Sequence, residues 1–220
     1  MSTCPPPRQP PAAILKPAPG AHWFPGALDR AAQEELLSCI RQILVQAPLF
    51  APTMPRTGKP LSVRMSNCGP LGWVSDIEGY RYQSFHPDTR QPWPAMPPQV
   101  LDIWSRFSGL PEAEKLQPEA CLINYYRPDA RMSLHQDRDE NDLTAPVLSI
   151  SLGDIALFRL GGLERGAPSQ SFRLESGDVF ILGGESRLAF HGVDRIIPGS
   201  STLLDEGGRF NLTLRRVNVA

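Results

Sequence analysis

Apolar positions along the chain follow two different periods. Before about residue 118 they recur at helical spacing, with Leu36, Ile40, Ile43, Leu44 and Ala47 on one stripe and Val100, Ile103, Trp104 and Phe107 on another. These stripes predict a helix from a cap at Asp29 to about Ala47 and a second over about 98–107. From residue 119 onward short runs take over, broken by Gly, Pro and Asp: ACLINYY, VLSISLG, IALFRL, SFRLESGDVFILGG, RLAFHGV and RFNLTLRRV. Each reads as one strand or a pair. Two helices followed by many strands predict an α+β domain built on a β-sandwich or jelly roll. Between the helices, residues 51–97 are rich in Pro, Gly and aromatics and read as loops and short hairpins exposing Trp73, Tyr80 and Tyr82.

Composition refines this outline. Seven of the first 20 residues are proline, so residues 1–20 are expected to be extended or disordered and outside the fold. Residues 21–220 are expected to form one domain, with helices and recognition loops over 21–118 and the jelly-roll core over 119–220. The formal net charge of −1 excludes a global basic field, although residues 51–91 carry five Lys/Arg against three Asp/Glu. Cys4, Cys39, Cys68 and Cys121 form no CxxC pair, which argues against a disulfide framework or a thiolate zinc site. No stretch approaches the roughly 20 apolar residues that span a bilayer. A soluble, cytoplasmic monomer is the expectation.

The candidate chemistry begins at SLHQDRDE, where His135, Asp137 and Asp139 alternate and would share one face of an extended strand. His191, 54 residues beyond Asp137, could add a second imidazole. His-x-Asp with a distant His is the sequence form of the facial triad of non-haem Fe(II) oxygenases, and related donor sets also hold hydrolytic zinc. In RFNLTLR, alternation puts Arg209, Asn211, Thr213 and Arg215 on one face and Phe210, Leu212 and Leu214 on the other. Two arginines on an inner wall would be costly without an anion, and a dicarboxylate meets that need bidentately. Asn124 and Tyr126 share a face and could complete such a pocket. Triad and pocket together point to 2-oxoglutarate. A solvated arginine row or a non-catalytic cupin-like metal-binding module is the bland alternative. His22 and His86 have no partner spacing.

These motifs, with NCGPLGW, PWPAMP, ACLINYYRPDARMSLHQDRDE and LGGESRLAFHG, resemble the AlkB family of Fe(II)/2-oxoglutarate-dependent nucleic-acid dealkylases, the bacterial alkylated-DNA repair enzymes most closely, over about residues 61–217. The resemblance implies a double-stranded β-helix (jelly-roll) core with two supporting N-terminal helices. It implies Fe(II) on His135, Asp137 and His191, with 2-oxoglutarate and O₂ as cosubstrates. Asn124, Tyr126, Arg209, Asn211 and Arg215 would hold 2-oxoglutarate, with the backbone of Tyr125 and of the 209–215 strand nearby. Trp73, Tyr80, Arg81, Tyr82, Asp139 and Arg165 would hold the substrate, with Asp139 also acting at the reacting base. The implied reaction is oxidative demethylation of 1-methyladenine and 3-methylcytosine in single-stranded DNA, with duplex DNA and RNA as further partners. A dioxygenase acting on a protein or small molecule is the alternative within the same chemistry. Two departures stand out: Lys59 and Pro60 lie in a lid expected to be more aromatic, and Leu182 stands where an aromatic is expected.

Overall fold

The computed structural model describes residues 14–219. Most of the Pro-rich segment, residues 1–13, lies outside the described residues. Helix α1 (Arg30–Gln46) starts where the Asp29 carboxylate accepts the Ala32 amide at 2.8 Å, and α2 (Pro98–Phe107) starts on a proline, whose missing N–H costs nothing in a first turn. Among the described residues no helix is long and apolar enough to cross a membrane.

The strands are β1 (Leu15–Ala18), β2 (Ala21–Phe24), β3 (Arg64–Cys68), β4 (Gly72–Asp76), β5 (Gly79–Gln83), β6 (Ala120–Tyr126), β7 (Met132–His135), β8 (Val147–Gly153), β9 (Ile155–Leu160), β10 (Gln170–Leu174), β11 (Val179–Leu182), β12 (His191–Ile197) and β13 (Arg209–Arg215). A seven-stranded sheet, β1-β2-β11-β8-β13-β6-β3, faces a four-stranded sheet, β10-β9-β12-β7, in a jelly roll, and β4–β5 is a separate hairpin. The outer face of the large sheet carries Cys121, Ile123, Leu148, Ile150, Leu152, Val179, Ile181, Phe210, Leu212 and Leu214. The stripes of α1 and α2 pack on it in one apolar core. Because side chains alternate, the neighbouring positions turn inward between the sheets. The inner wall is therefore set by the same residues that bury the helices.

Three expectations need correction. The segment expected to stay outside the fold enters it at Leu15: β1 is an edge strand, where Pro17 removes no ladder bond the sheet needs, and β2 pairs with β11. Strand β3, within the stretch read as loops, pairs with β6 at the opposite edge. RLAFHGV becomes a strand only at His191, because Gly184–Ser186 form a 3₁₀ turn before it.

One glycine sets the approach of β12 to β7. A Cβ on Gly192 would lie 2.5 Å from the Met132 carbonyl oxygen and 3.0 Å from that of Ser133. Both contacts are with backbone, which cannot swing aside. Gly192→Ala is expected to cost about 1–3 kcal/mol of stability and to weaken metal binding by prising His191 from His135. Urea unfolding and a Co(II) titration would check this; unchanged values in both would show that the approach tolerates a methyl group.

Candidate metal centre and cosubstrate pocket

His135 ends β7 and His191 opens β12, and the two are direct cross-strand partners with ring centroids 4.5 Å apart. Asp137 lies past the end of β7, so the extended alternation expected through Asp139 stops at His135. The three side chains still converge, with one ligand atom from each lying within 4.8 Å of the others. The Nδ1 of His135 is 2.9 Å from the Ser133 carbonyl and that of His191 is 3.0 Å from the Ala189 carbonyl. A carbonyl only accepts, so both Nδ1 atoms carry the hydrogen, and both Nε2 lone pairs face Asp137 at 3.5 Å. Lone pairs facing a carboxylate need a cation between them. Two neutral imidazoles and a carboxylate suit Fe(II) and leave positions open for a cosubstrate. Gln136 braces the group by donating to the Leu188 carbonyl at 2.6 Å.

The electrostatics fit the same picture. Burial opposes charge on Asp137, but Arg215, His191 and His135 outweigh it and hold its carboxyl well below the usual range. Burial also pulls the His135 imidazole down, and the hydrogen bond and charge of Asp137 more than reverse this, so its pKa is raised.

The inner face of β13 supplies the arginines. Arg209 is only 1% exposed and donates to the Asp154 and Leu174 carbonyls and the Ser151 hydroxyl, all uncharged partners. Burial lowers its pKa to about 10. Arg215 places Nη2 2.7 Å from Asp137 Oδ1 and Nη1 3.0 Å from Glu140 Oε1. Asn211 donates to the Ser149 hydroxyl and Thr213 to Asn211. Among the described residues, the buried side-chain polar atoms without a hydrogen-bond partner include Arg209 Nε, Arg215 Nε and Asn124 Oδ1, all from residues lining this cavity. Buried donors left open on two guanidinium groups fit an anion with several oxygens, and 2-oxoglutarate is one.

The cavity measures about 900 Å³ and reaches from Arg209 and Leu182 past the triad to Trp73, Tyr80, Asp139 and Arg165. Trp73 stacks on Tyr80 with centroids 5.6 Å apart and planes 17° apart, and its Nε1 donates to Asp139 at 2.8 Å. Arg165 lies over the Phe190 ring at 5.0 Å. Asn124, Tyr126 and Asn211 also line the cavity, as do Met54, Pro60, Leu61 and Ser62 of the segment that departs from the AlkB-family lid.

The Tyr125 side chain points outward and packs on Phe210 in the helix-side core, because it alternates with Asn124 and Tyr126, which leaves its backbone for the expected role. Two expected site residues sit elsewhere. Arg81 takes the opposite face of its hairpin and pairs with Asp76 and Glu78. Tyr82 is drawn inside, where its hydroxyl donates to Glu140 at 2.5 Å and accepts from Arg215 at 3.0 Å. Cys68 belongs to the helix-side core opposite Cys121. His86 is a buried loop pin, its Nε2 on the Pro48 carbonyl. Sequence reading missed Ser149, Ser151, Gln136, Glu140 and Arg187. The serines were legible, since VLSISLG alternates them with Leu148, Ile150 and Leu152; Glu140 and Arg187 lie in irregular segments with no period to betray them.

A jelly roll with a His-Asp-His cluster beside an anion pocket defines a mononuclear non-haem iron oxygenase. Residues 20–215 match the model of the 2OG-Fe(II) oxygenase superfamily. The chain is 54% identical over 210 residues to the alpha-ketoglutarate-dependent dioxygenase AlkB homolog of Caulobacter vibrioides (strain NA1000 / CB15N), covering 94% of this chain and 93% of that protein. It is 44% identical over 185 residues to the alpha-ketoglutarate-dependent dioxygenase AlkB of Escherichia coli (strain K12), covering 84% and 85%. The solved structure of OsALKBH1 superposes with a TM-score of 0.78 at 30% identity, over 93% of this chain and 100% of that one. The chain belongs to the AlkB family, within the 2OG-Fe(II) oxygenase superfamily. It is an Fe(II)-dependent dioxygenase with 2-oxoglutarate and O₂ as cosubstrates.

Two outcomes follow from this geometry. The folded apoprotein binds a proton on His135 more tightly than the unfolded chain. That proton's stabilisation is complete below the ordinary imidazole pKa and is lost as pH rises through the raised one. A metal on Nε2 displaces it, so Co(II) affinity is expected to weaken as pH falls, starting above an ordinary histidine's range; titrations between about pH 8 and 6 would read this, and a flat profile would contradict it. Arg209→Ala should weaken 2-oxoglutarate binding by about 2–5 kcal/mol, measured by calorimetry with Mn(II) in place of iron. Wild-type affinity in a folded variant would remove Arg209 from the pocket.

Proposed function

We propose that this dioxygenase removes methyl groups from the ring nitrogens of nucleobases, of the 1-methyladenine and 3-methylcytosine type. The observation that carries this reading is the stacked Trp73–Tyr80 pair, bound through Trp73 to Asp139, at the mouth of the cavity that holds the triad. Methylation at such a position makes the base cationic and blocks its pairing edge. A lesion that cannot pair is easier to extrude, so damage partly selects itself.

Trp73 and Tyr80 offer the extruded base an aromatic face, and Asp139 offers it a negative charge that a neutral base would not repay. Trp73 holds Asp139 Oδ2, which fixes the carboxylate and leaves Oδ1 for the base. Arg165 at the rim would meet the strand backbone. Further in, His135, Asp137 and His191 would hold the metal, and Arg209, Arg215, Asn124, Tyr126 and Asn211 would seat 2-oxoglutarate beside it. Bound there, iron would supply oxidation of the N-methyl carbon by O₂, one oxygen atom going to succinate as 2-oxoglutarate loses CO₂ and the other to the methyl group, which leaves as formaldehyde. The protein supplies position, charge and a shielded cavity.

Alkylated single-stranded DNA is the primary substrate in this reading, with duplex DNA and RNA as further ones. The enzyme would work as a cytoplasmic monomer, in keeping with the free thiols Cys39, Cys68 and Cys121. The test is a reaction with Fe(II), ascorbate, 2-oxoglutarate and a single-stranded oligonucleotide bearing one 1-methyladenine, read by mass spectrometry beside a His135→Ala control. Loss of the methyl group in the wild type alone is the expected result. No loss while 2-oxoglutarate is consumed would move the substrate to another class. Trp73→Ala should cost about 1–3 kcal/mol in oligonucleotide affinity by losing a stacking face, while Asp139→Ala should abolish repair. Both should spare 2-oxoglutarate turnover uncoupled from repair.

A further inference from the structure

Buried beside the metal cluster is a closed ring of charge. Asp137 Oδ1 meets Arg215 Nη2 at 2.7 Å, and Arg215 Nη1 meets Glu140 Oε1 at 3.0 Å. Glu140 Oε2 meets Arg187 Nη2 at 3.0 Å, and Arg187 Nη1 returns to the Asp137 carbonyl at 2.6 Å. Asp137 is thus held at its side chain and at its backbone by two arginines that share one carboxylate. The Glu140 side chain is fully buried. Its Oε1 also accepts the Tyr82 hydroxyl, and Arg215 Nη1 donates to that same oxygen of Tyr82. Tyr82 comes from the hairpin that carries the aromatic platform, where it is the direct cross-strand partner of Trp73.

We infer that Tyr82 and Glu140 are positioning residues that lock Arg215 onto the metal-ligand carboxylate Asp137 and tie the base-binding hairpin to the metal centre. The hairpin side of this inference rests on the proposed function; the Arg215–Asp137 side rests only on the triad. With one oxygen taken by Arg215, Asp137 turns its other oxygen, Oδ2, toward His191. Arg215 stays in that pose because both of its terminal nitrogens are occupied, one by Asp137 and the other by Glu140 and Tyr82. Deleting the phenol oxygen removes one acceptor from Arg215 and one donor from Glu140 without changing the shape of the ring. A base that moves Trp73 would move Tyr82 with it, and through Arg215 the carboxylate on the metal.

A purely structural role predicts something different. Ser75, in the same hairpin, donates a hydrogen bond from its hydroxyl to the Thr53 carbonyl at 2.5 Å and is not among the hydrogen-bond or ion-pair partners of the ring. Tyr82→Phe and Ser75→Ala each remove one hidden hydroxyl, so a general loosening of the hairpin would affect both alike. The experiment titrates Co(II) into the full-length apoprotein and follows its visible d–d bands, with thermal melts confirming the fold. His191→Ala comes first. Loss of Co(II) binding there supports the triad, and its retention would overturn the triad and the relay with it. Tyr82→Phe is then expected to bind Co(II) about tenfold more weakly, with Ser75→Ala at wild-type affinity. The band shift caused by a 1-methyladenine oligonucleotide should be present in the wild type and Ser75→Ala and absent in Tyr82→Phe. Wild-type Co(II) affinity together with a wild-type band shift in Tyr82→Phe would overturn the relay. If Co(II) affinity falls but the oligonucleotide shifts no bands in the wild type, the hairpin link is overturned and the Arg215 lock stands. Should Tyr82→Phe not fold, Glu140→Gln is read by the same two signals.

Discussion

A guanidinium enclosed between two β-sheets has to find negative charge or hydrogen-bond acceptors, and β13 encloses two. Everything around the site answers that demand. Arg215 is met by Asp137 and Glu140, Arg209 by backbone carbonyls and a serine, with the Nε of each left without a partner. The difference between the two answers divides the work. Where carboxylates neutralise the cation, the protein has fixed a metal ligand; where only neutral acceptors hold it, a positive charge remains for a dicarboxylate to complete.

The same strand shows why a small domain can carry such a site. Phe210, Leu212 and Leu214 anchor the sheet to α1 and α2, so the alternate positions are aimed into the cavity by the packing of the core itself. The opposing wall gains its precision from the near contact of β7 and β12. His135 and His191 are paired by sheet register, and Gly192 lets the backbones come close enough for that register to hold.

Periodicity made the regular parts legible. Both helices, most of the strand runs and the inward face of β13 could be read from alternation and helical stripes, and His135, Asp137 and His191 from residue type and spacing. What escaped the reading was decided by tertiary context. Arg81 and Tyr82, both expected at the substrate, occupy opposite faces of one hairpin, which residue type alone does not reveal. Leu15–Ala18 belongs to a proline-rich segment, yet an edge strand accepts its single proline, Pro17. Glu140 and Arg187 had no pattern at all; only the folded chain shows that they close a ring of charge around Asp137.

The two imidazole tautomers are set by carbonyl oxygens two residues upstream, at Ser133 and Ala189. A main-chain acceptor is present whatever side chain a codon specifies there. In many metal sites the group that orients a histidine is itself a side chain, and a single nucleotide change can delete it. Here that class of lesion does not exist for either histidine. The genetic target for losing tautomer control shrinks to changes that displace the backbone, a useful economy in a gene whose product is proposed to meet alkylated DNA.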